Sequence, residues 1–475
     1  MAALLQAVIE DPSPGPSVVE QAEIVPAESP LLDNAQRTEL LKRSDAAYDK
    51  VHGGFGPFQR FIDTDSMDLL LAAAEKGDET AAKRARQTLD AALALIDRQW
   101  GGIYQYSDTL DWSSPHYEKI MWYQANGLRQ YAQAYALWRD PRYLEAARDI
   151  ERFLLTKLRN ADGAFYTSQD ADIDEAMTGK SFYALSAEER AVLGREPRID
   201  THIYARENGW AISGLLALYD AVGDEMALRA AERAAQYIRV NRAIEGGGFR
   251  HADRDEAGPY LGDTLAMGQA ALDLYAATGE RDWLDVADRA GAFIAAEFKD
   301  EAGGFRTTLR GQSSEGVFAH EVKQFDEQVA ATRFANKLYR YLGKEEYRAL
   351  AEHGARYLAS PAILDEPRPL PGVLLVDREL SEEPTHITIV GGKDEPQAAT
   401  LHAAALAFPA LYKRIDWWDK REGPLPNPDV QYPELDQPAA FACTNRICSE
   451  PIFEPEGLAQ TVTRMLAASG VSAVQ

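Results

Sequence analysis

Cysteine is almost missing from this sequence: Cys443 and Cys448, five apart, are the only two in 475 residues. Two thiols make no disulfide framework for a chain of this size, and without histidines beside them they make no structural zinc site. A reduced or reversibly oxidised pair is expected, which marks both as redox candidates. No apolar run approaches the length of a membrane helix, and the start Met1-Ala2-Ala3-Leu4-Leu5 lacks the basic residues and cleavage pattern of a secretory signal. A soluble, cytoplasmic protein with no membrane partner is the expectation. Basic charge is scarce as well, with 50 Lys and Arg against 75 Asp and Glu, a net charge of −25. That balance gives no electrostatic reason for a nucleic-acid or anionic-membrane partner. It suits a neutral or cationic ligand, or outer helix faces that are solvated. A phosphate-cradling loop, a nucleophile elbow, a zinc-protease helix and a dinucleotide fingerprint are all absent. Nothing in the sequence calls for a cofactor or a metal.

What the chain has is a repeat. Five glycine-aromatic punctuations follow long helical runs: Gly53-Gly54-Phe55, Gly101-Gly102-Ile103-Tyr104, Asp162-Gly163-Ala164-Phe165-Tyr166, Gly246-Gly247-Gly248-Phe249 and Gly303-Gly304-Phe305. The second glycines are 48 residues apart at the first interval and 57 at the last, the length of one helical hairpin plus a loop. Amphipathic stretches occur near 36–50, 64–76, 80–98, 117–138, 141–159, 206–222, 225–241, 262–278, 282–298, 324–342, 345–359 and 397–413. Tight connections such as Gly77-Asp78, Gly223-Asp224 and Gly343-Lys344 place a helix stop directly before the next start. Twelve helices in six hairpins, with long loops on alternate connections, predict an all-α fold, an (α/α)6 toroid; an open solenoid is the competing architecture.

The remaining segments set the domain boundaries. Residues 1–35 read as a proline-rich leader, 36–420 as the toroid, and 421–475 as an extended segment with the cysteine pair and a terminal helix. The insertion at 160–205 is long enough to be functional or disordered. Residues 372–392, with Val373-Leu374-Leu375-Val376 and His386-Ile387-Thr388-Ile389-Val390, predict a strand pair, and Ala439–Cys443 an added edge strand.

In a ring of hairpins, inserted loops gather on one face and build the site there. His116, beside Glu118 and opening a helix, is the first candidate for proton transfer; capping by Pro115, His116 and Glu118 is an equal alternative. Asp170 and Asp172 offer two carboxylates on one side of an extended loop, although an Asp-rich turn accounts for them too. Glu207, Asn208 and Trp210 open the next inner helix after His202, followed by His251 and Asp263, and then by Glu321, Asp326 and Glu327. Together they describe a pocket for polyhydroxylated ligands, with aromatic faces for sugar rings and carboxylates for hydroxyls.

Several of these motifs occur in a fixed order: Gly53-Gly54-Phe55-Gly56, Pro115-His116-Tyr117-Glu118-Lys119, Ala164-Phe165-Tyr166 with Asp170-Ala171-Asp172, Asn208-Gly209, and Ala440-Phe441-Ala442-Cys443 with Cys448 and Pro451. The set resembles the YyaL-like family, also called the spermatogenesis-associated, thioredoxin-domain-containing proteins, over about residues 36–465. The resemblance implies an (α/α)6 toroid similar to the six-hairpin glycosidases and the N-acylglucosamine 2-epimerases. Members usually carry a thioredoxin-like domain ahead of the toroid. The leader is therefore expected to match the segment just after such a domain in longer relatives; the redox function of that domain does not carry over, and a separately encoded thioredoxin-like partner is an open alternative. Three motifs depart from the family pattern: Tyr123-Gln124 replaces an Asp-Asn pair, Glu207 stands where a Trp precedes Asn-Gly, and Lys323–Glu327 replaces a Ser-Gly-Asn motif.

The function expected from these residues is isomerisation or epimerisation of a sugar-like small molecule. His116 with His251 or His202 would exchange the proton beside a carbonyl, while Glu118, Asp170, Asp172, Glu207, Asn208, Trp210, Asp263 and Glu327 hold the ligand. Glycoside hydrolysis by Asp172, Glu207 or Asp263 is the alternative enzyme, and a non-catalytic, thioredoxin-associated scaffold with a Cys443/Cys448 thiol switch is the alternative outside catalysis.

Overall fold

The computed structural model describes residues 24–255, 258–309, 323–444 and 447–468. Most of the leader and Glu321 lie outside the described residues. The chain begins with α1 (Asn34–Ala47), α2 (Thr64–Ala74) and α3 (Glu79–Ala92). Short strands β1 (Tyr106–Ser107), β2 (Pro115–His116) and β3 (Lys119–Ile120) precede α4 (Met121–Trp138) and α5 (Pro141–Phe153). The insertion then supplies β4 (Ser168–Gln169), α6 (Gly179–Tyr183), α7 (Ala187–Leu193) and β5 (Ile199–Asp200). Three hairpins follow: α8 (Ala205–Val222) with α9 (Glu225–Arg242), α10 (Leu261–Thr278) with α11 (Arg281–Phe293), and α12 (Phe325–Leu342) with α13 (Glu345–Leu358). A single turn, α14 (Pro361–Leu364), leads to α15 (Pro371–Ser381). Last come β6 (Thr385–Val390), α16 (Pro396–Leu406), β7 (Lys413–Trp418), β8 (Ala439–Thr444), β9 (Ile447–Cys448) and α17 (Pro455–Ala468).

The fold is the expected (α/α)6 toroid. Helices α2, α4, α8, α10, α12 and α15 pack in sequence, and α15 returns to α2 to close the ring. Around them stand α3, α5, α9, α11 and α13, each against its hairpin partner. The sixth pair is made from the two ends of the toroid: α1 packs on α15. Arg37 pairs with Asp377 at 2.8 Å there, and the same carboxylate accepts the Leu32 N–H at 2.9 Å. The twelfth ring helix is therefore α15, and the stretch expected at 397–413 is not part of the ring. It ends at Leu406 and crosses between two parallel strands.

Four of the six inner helices, α4, α8, α10 and α12, share one device. An amide or hydroxyl at the fourth position of an inner helix clips the glycine-aromatic turn that precedes it. Gln124 of α4 accepts the Ile103 N–H at 2.8 Å and donates to the Ile103 carbonyl at 2.6 Å. Asn208 of α8 does the same for Phe165, at 2.8 and 3.0 Å, and Gln328 of α12 for Phe305, at 2.7 and 2.8 Å. In α10 the residue is Thr264, which accepts the Phe249 N–H at 3.0 Å. The glycines are required by the same turn: Gly101 sits at φ +86°, and a Cβ there would lie 2.1 Å from the Asp149 carbonyl oxygen.

Beyond the ring lies a four-stranded sheet in the order β7-β6-β8-β9, with β6 and β7 parallel around α16. It uses strands from both sides of residue 420, so the boundary placed there in the sequence runs through the sheet. Val373–Val376, expected as a strand, lies in α15 instead. That run is buried by α1, α2, α12 and α13, which removes the polar face that would have shown its helical period. Ala439–Cys443 is a strand, but one with partners on both sides, β6 and β9. Cys443 and Cys448 face each other in the β8-β9 register and are joined as a disulfide. The insertion is ordered by β3-β4-β5 pairing and by Arg190 of α7, which reaches Asp97 at 2.7 Å.

Candidate functional site in the axial cavity

The inner helices enclose a cavity of about 760 Å³ that runs along the ring axis. At one end it opens at the N-terminal ends of the inner helices, by Phe55, Asp65, Trp122, Arg206 and Trp210. At the other end the loop before β7 floors it: Phe408, Pro409, Ala410 and Leu411 line the cavity, and the Leu411 N–H donates to Glu75 at 2.8 Å.

One cluster sits where α8, α10 and α12 begin at the open rim. Asp263, 1% exposed, takes the Arg206 N–H at 2.9 Å and lies 2.9 Å from Nδ1 of His251. The His251 ring stacks on Tyr204 at 4.0 Å and is one quarter exposed. Burial alone would lower its pKa, but the hydrogen bond and charge of Asp263, with the charge of Glu207, raise it above its ordinary value. Arg206 pairs with Glu207 at 3.2 Å and lies over the Trp210 ring at 4.9 Å. The second oxygen of Glu207 is buried without a hydrogen-bond partner among the described residues. Glu327 accepts from Thr307 at 2.7 Å, and burial pushes its carboxyl up to about 7. Gly262 leaves room for this convergence, since a Cβ there would meet Glu327 at 2.9 Å and Arg206 at 3.1 Å.

A second polar group crosses the cavity one level deeper. Asp68 accepts from Arg129 at 2.9 Å and from Gln130 at 2.7 Å, and Arg333 stands 3.6 Å away while pairing with Glu379 at 2.7 Å. Burial works to raise Asp68, but the two guanidiniums overrule it and hold the carboxyl below its usual range. Asp65, one helical turn from Asp68, makes no hydrogen bond or ion pair among the described residues, and burial pushes it up to about 7. Near the floor, burial raises Glu75 to about 8 and Asp220 to about 6.

Of the candidates, Trp210 and Glu327 line the cavity at the rim; His251, Glu207 and Asp263 stand just behind the lining, joined to it through Arg206. It places the other candidates elsewhere. His116 is 41% exposed on β2, between Asp108 at 3.1 Å and Glu118 at 3.3 Å, and stacks on Tyr106; neither it nor Glu118 lines the cavity. His202 is 69% exposed and paired with Asp200. Asp170 is held by Arg198 at 3.0 Å, and Asp172 accepts the Gly179 N–H, so both fix the insertion rather than the cavity wall. Asn208 is spent on the Phe165 clip. Asp65, Asp68, Arg129 and Arg333 were not singled out from the sequence; their signal is charge on the apolar stripe of an inner helix.

No family model matches the chain. Spermatogenesis-associated protein 20 of Homo sapiens is 29% identical over 175 residues, 30% of this chain and 22% of that protein. Over that region the chain is similar to spermatogenesis-associated protein 20. The matched region thus spans under a quarter of the length of that relative. Among solved structures, a cellobiose 2-epimerase from Bacillus thermoamylovorans B4167 superposes with a TM-score of 0.54 at 14% identity, over 68% of this chain and 86% of that one. A D-mannose isomerase gives 0.51 at 13% identity, over 69% and 86%. At such identities the likeness establishes the toroid fold, and the YyaL-like resemblance read from the motifs agrees with it. No helix among the described residues is long and apolar enough to cross a membrane.

Proposed function

We propose that this is a carbohydrate-active enzyme that exchanges the proton next to the carbonyl of a sugar, giving isomerisation or epimerisation. The observation that carries the reading is the rim cluster: an imidazole held by a buried carboxylate, near a carboxyl whose pKa is about 7, beside a guanidinium and an indole. An imidazole and a carboxyl raised to about 7 can each remove or return a proton. Trp210 offers a face for a sugar ring, and Arg206 a charge for the oxyanion that forms when the carbon is deprotonated. Return of the proton to the other face of the same carbon gives the epimer; return to the neighbouring carbon, with the hydroxyl proton passing to the former carbonyl oxygen, gives the isomer. The neighbours of this fold that act on cellobiose and mannose support the choice of ligand class. The candidate pair is His251 and Glu327, in place of the His116-centred pair.

The test is proton exchange in D2O, followed by 1H NMR with aldoses, ketoses and disaccharides. The expected result is loss of the C2 proton signal with at least one sugar, slowed about 100-fold or more in His251→Asn. Lack of exchange with every sugar, by folded protein, overturns the reading. Glycoside hydrolysis is the second reading, favoured by the raised carboxyls of Asp65 and Glu327 in one cavity. It predicts release of a chromogenic leaving group that depends on both residues.

A further inference from the structure

One cation on the cavity lining is left without a partner among the described residues. Lys337 of α12 lines the cavity and is half-buried, and among the described residues it makes no hydrogen bond, ion pair or ring contact. Every other cation on the lining has a partner. Arg129 has Asp68, Arg333 has Glu379, Arg206 has Glu207, Arg368 has Glu366 at 2.6 Å, and Lys413 has Asp220 at 3.6 Å. The acids nearest the lower chamber do not supply one for Lys337. Asp220 already faces Lys413, Asp273 is satisfied by Ser213 and Gln269, each at 2.7 Å, and Glu75 holds the Leu411 N–H. Elsewhere the lining carries apolar side chains, among them Leu137, Leu272 and Ala276. Lys337 is therefore the lining cation open to the counter-charge of a ligand.

Position then sets the ligand's length. Glu327, Arg333 and Lys337 lie on the same helix, and six and ten residues correspond to about 9 and 15 Å along its axis. A ligand with its reacting carbon at the rim reaches Lys337 only if it is longer than one sugar ring, and a cavity of about 760 Å³ has room for it.

Building on the sugar reading, we propose that the substrate is an acidic sugar of about two rings, whose carboxylate or phosphate binds Lys337 at the end away from the reacting carbon. The whole protein stays acidic, with a net charge of −25, and the cavity provides a local exception.

The test is isothermal titration of the full chain with a neutral disaccharide, its uronic-acid counterpart and a disaccharide phosphate, with acetate and inorganic phosphate as bare anion probes. Lys337→Met and Lys337→Arg are compared with the parent. The expected result is at least tenfold tighter binding of an acidic disaccharide than of the neutral one, weakened by salt, lost in Lys337→Met and kept in Lys337→Arg. The carboxylate and phosphate arms tell the two anions apart. Equal affinity for neutral and acidic sugars, or a preference that survives Lys337→Met, overturns the proposal while leaving the sugar reading in place. If no disaccharide binds but acetate or phosphate binds in a Lys337-dependent way, the anion site stands and the sugar reading falls.

Discussion

Nδ1 of His251 and the backbone N–H of Arg206 converge on one carboxylate oxygen of Asp263, each at 2.9 Å. Asp263 therefore ties the loop that carries His251 to the first turn of α8, and its charge sets the protonation of the imidazole. It is the kind of second group that fixes the orientation and basicity of an acid-base histidine.

Asp263→Asn keeps the shape and removes the charge, so the pKa of His251 is expected to fall. Burial would then act with less opposition. A histidine raised in the folded state stabilises fully below its unfolded pKa, and that contribution is lost as pH rises through the folded value. The variant should be most destabilised near pH 5.5 and approach the parent near pH 8. NMR titration of the His251 Cε1 proton and melting curves at the two pH values check this. An unchanged pKa would sink the assignment.

Glu327 behaves in the opposite chemical sense with the same sign. Its carboxyl is raised to about 7, so the folded state holds the proton that the unfolded chain releases near its ordinary value of 4.5. Stability from this group is present below pH 4.5 and lost as pH rises through 7. Glu327→Gln removes that loss and should gain melting temperature relative to the parent at pH 8 but little at pH 4.5. Activity should fall about 100-fold or more if the carboxyl transfers a proton. A variant that keeps full activity leaves Glu327 as a binding group only.

The toroid was legible because its signals are local. A glycine at φ +86° against a carbonyl oxygen, as at Gly101, can hardly be anything else, and a glycine of positive φ recurs in the turns at Gly53, Gly163, Gly247 and Gly303. Closure was not local. Pairing α1 with α15 joins chain ends, and Val373–Val376 is packed on by four helices, so its period was masked. The rim was partly legible, since Glu207, Trp210, Asp263 and Glu327 all open inner helices. His116 shares that sequence position but sits on a hairpin, turned to Asp108 and Glu118. Asp68 and Arg333 each interrupt the apolar stripe of an inner helix, but that they face one another at 3.6 Å follows from ring closure and is written in neither helix alone.

The clips at the fourth position of the inner helices should carry large energies. Gln124→Ala leaves a buried N–H and carbonyl of Ile103 unpaired, and each such group costs about 1–3 kcal/mol. A loss of about 2–5 kcal/mol is expected in urea unfolding for Gln124→Ala, Asn208→Ala and Gln328→Ala alike. For Asn208, full retention of stability would show that water replaces the clip and would return that side chain to the list of ligand contacts.

Asp97 poses the strongest test of what orders the insertion. One of its oxygens meets both Nζ of Lys119 and Nη1 of Arg190 at 2.7 Å, and all three side chains are buried. Lys119 also donates to the Gly101 carbonyl at 2.7 Å and lies 4.8 Å from the Tyr183 ring centre. Burial already pulls Lys119 down to about 8, with Asp97 opposing. Asp97→Asn leaves two buried cations without a counter-charge, a change that costs about 3–5 kcal/mol. Lys119 can relieve its share by losing a proton, which is cheap at pH 9 and expensive at pH 6; Arg190 cannot. The destabilisation should therefore be larger at pH 6 than at pH 9, and α7, held through Arg190, should become the first site of limited proteolysis. A deficit that is the same at both pH values would mean that Lys119 stays charged without Asp97, and that the Gly101 carbonyl and the aromatic rings suffice to hold the ammonium.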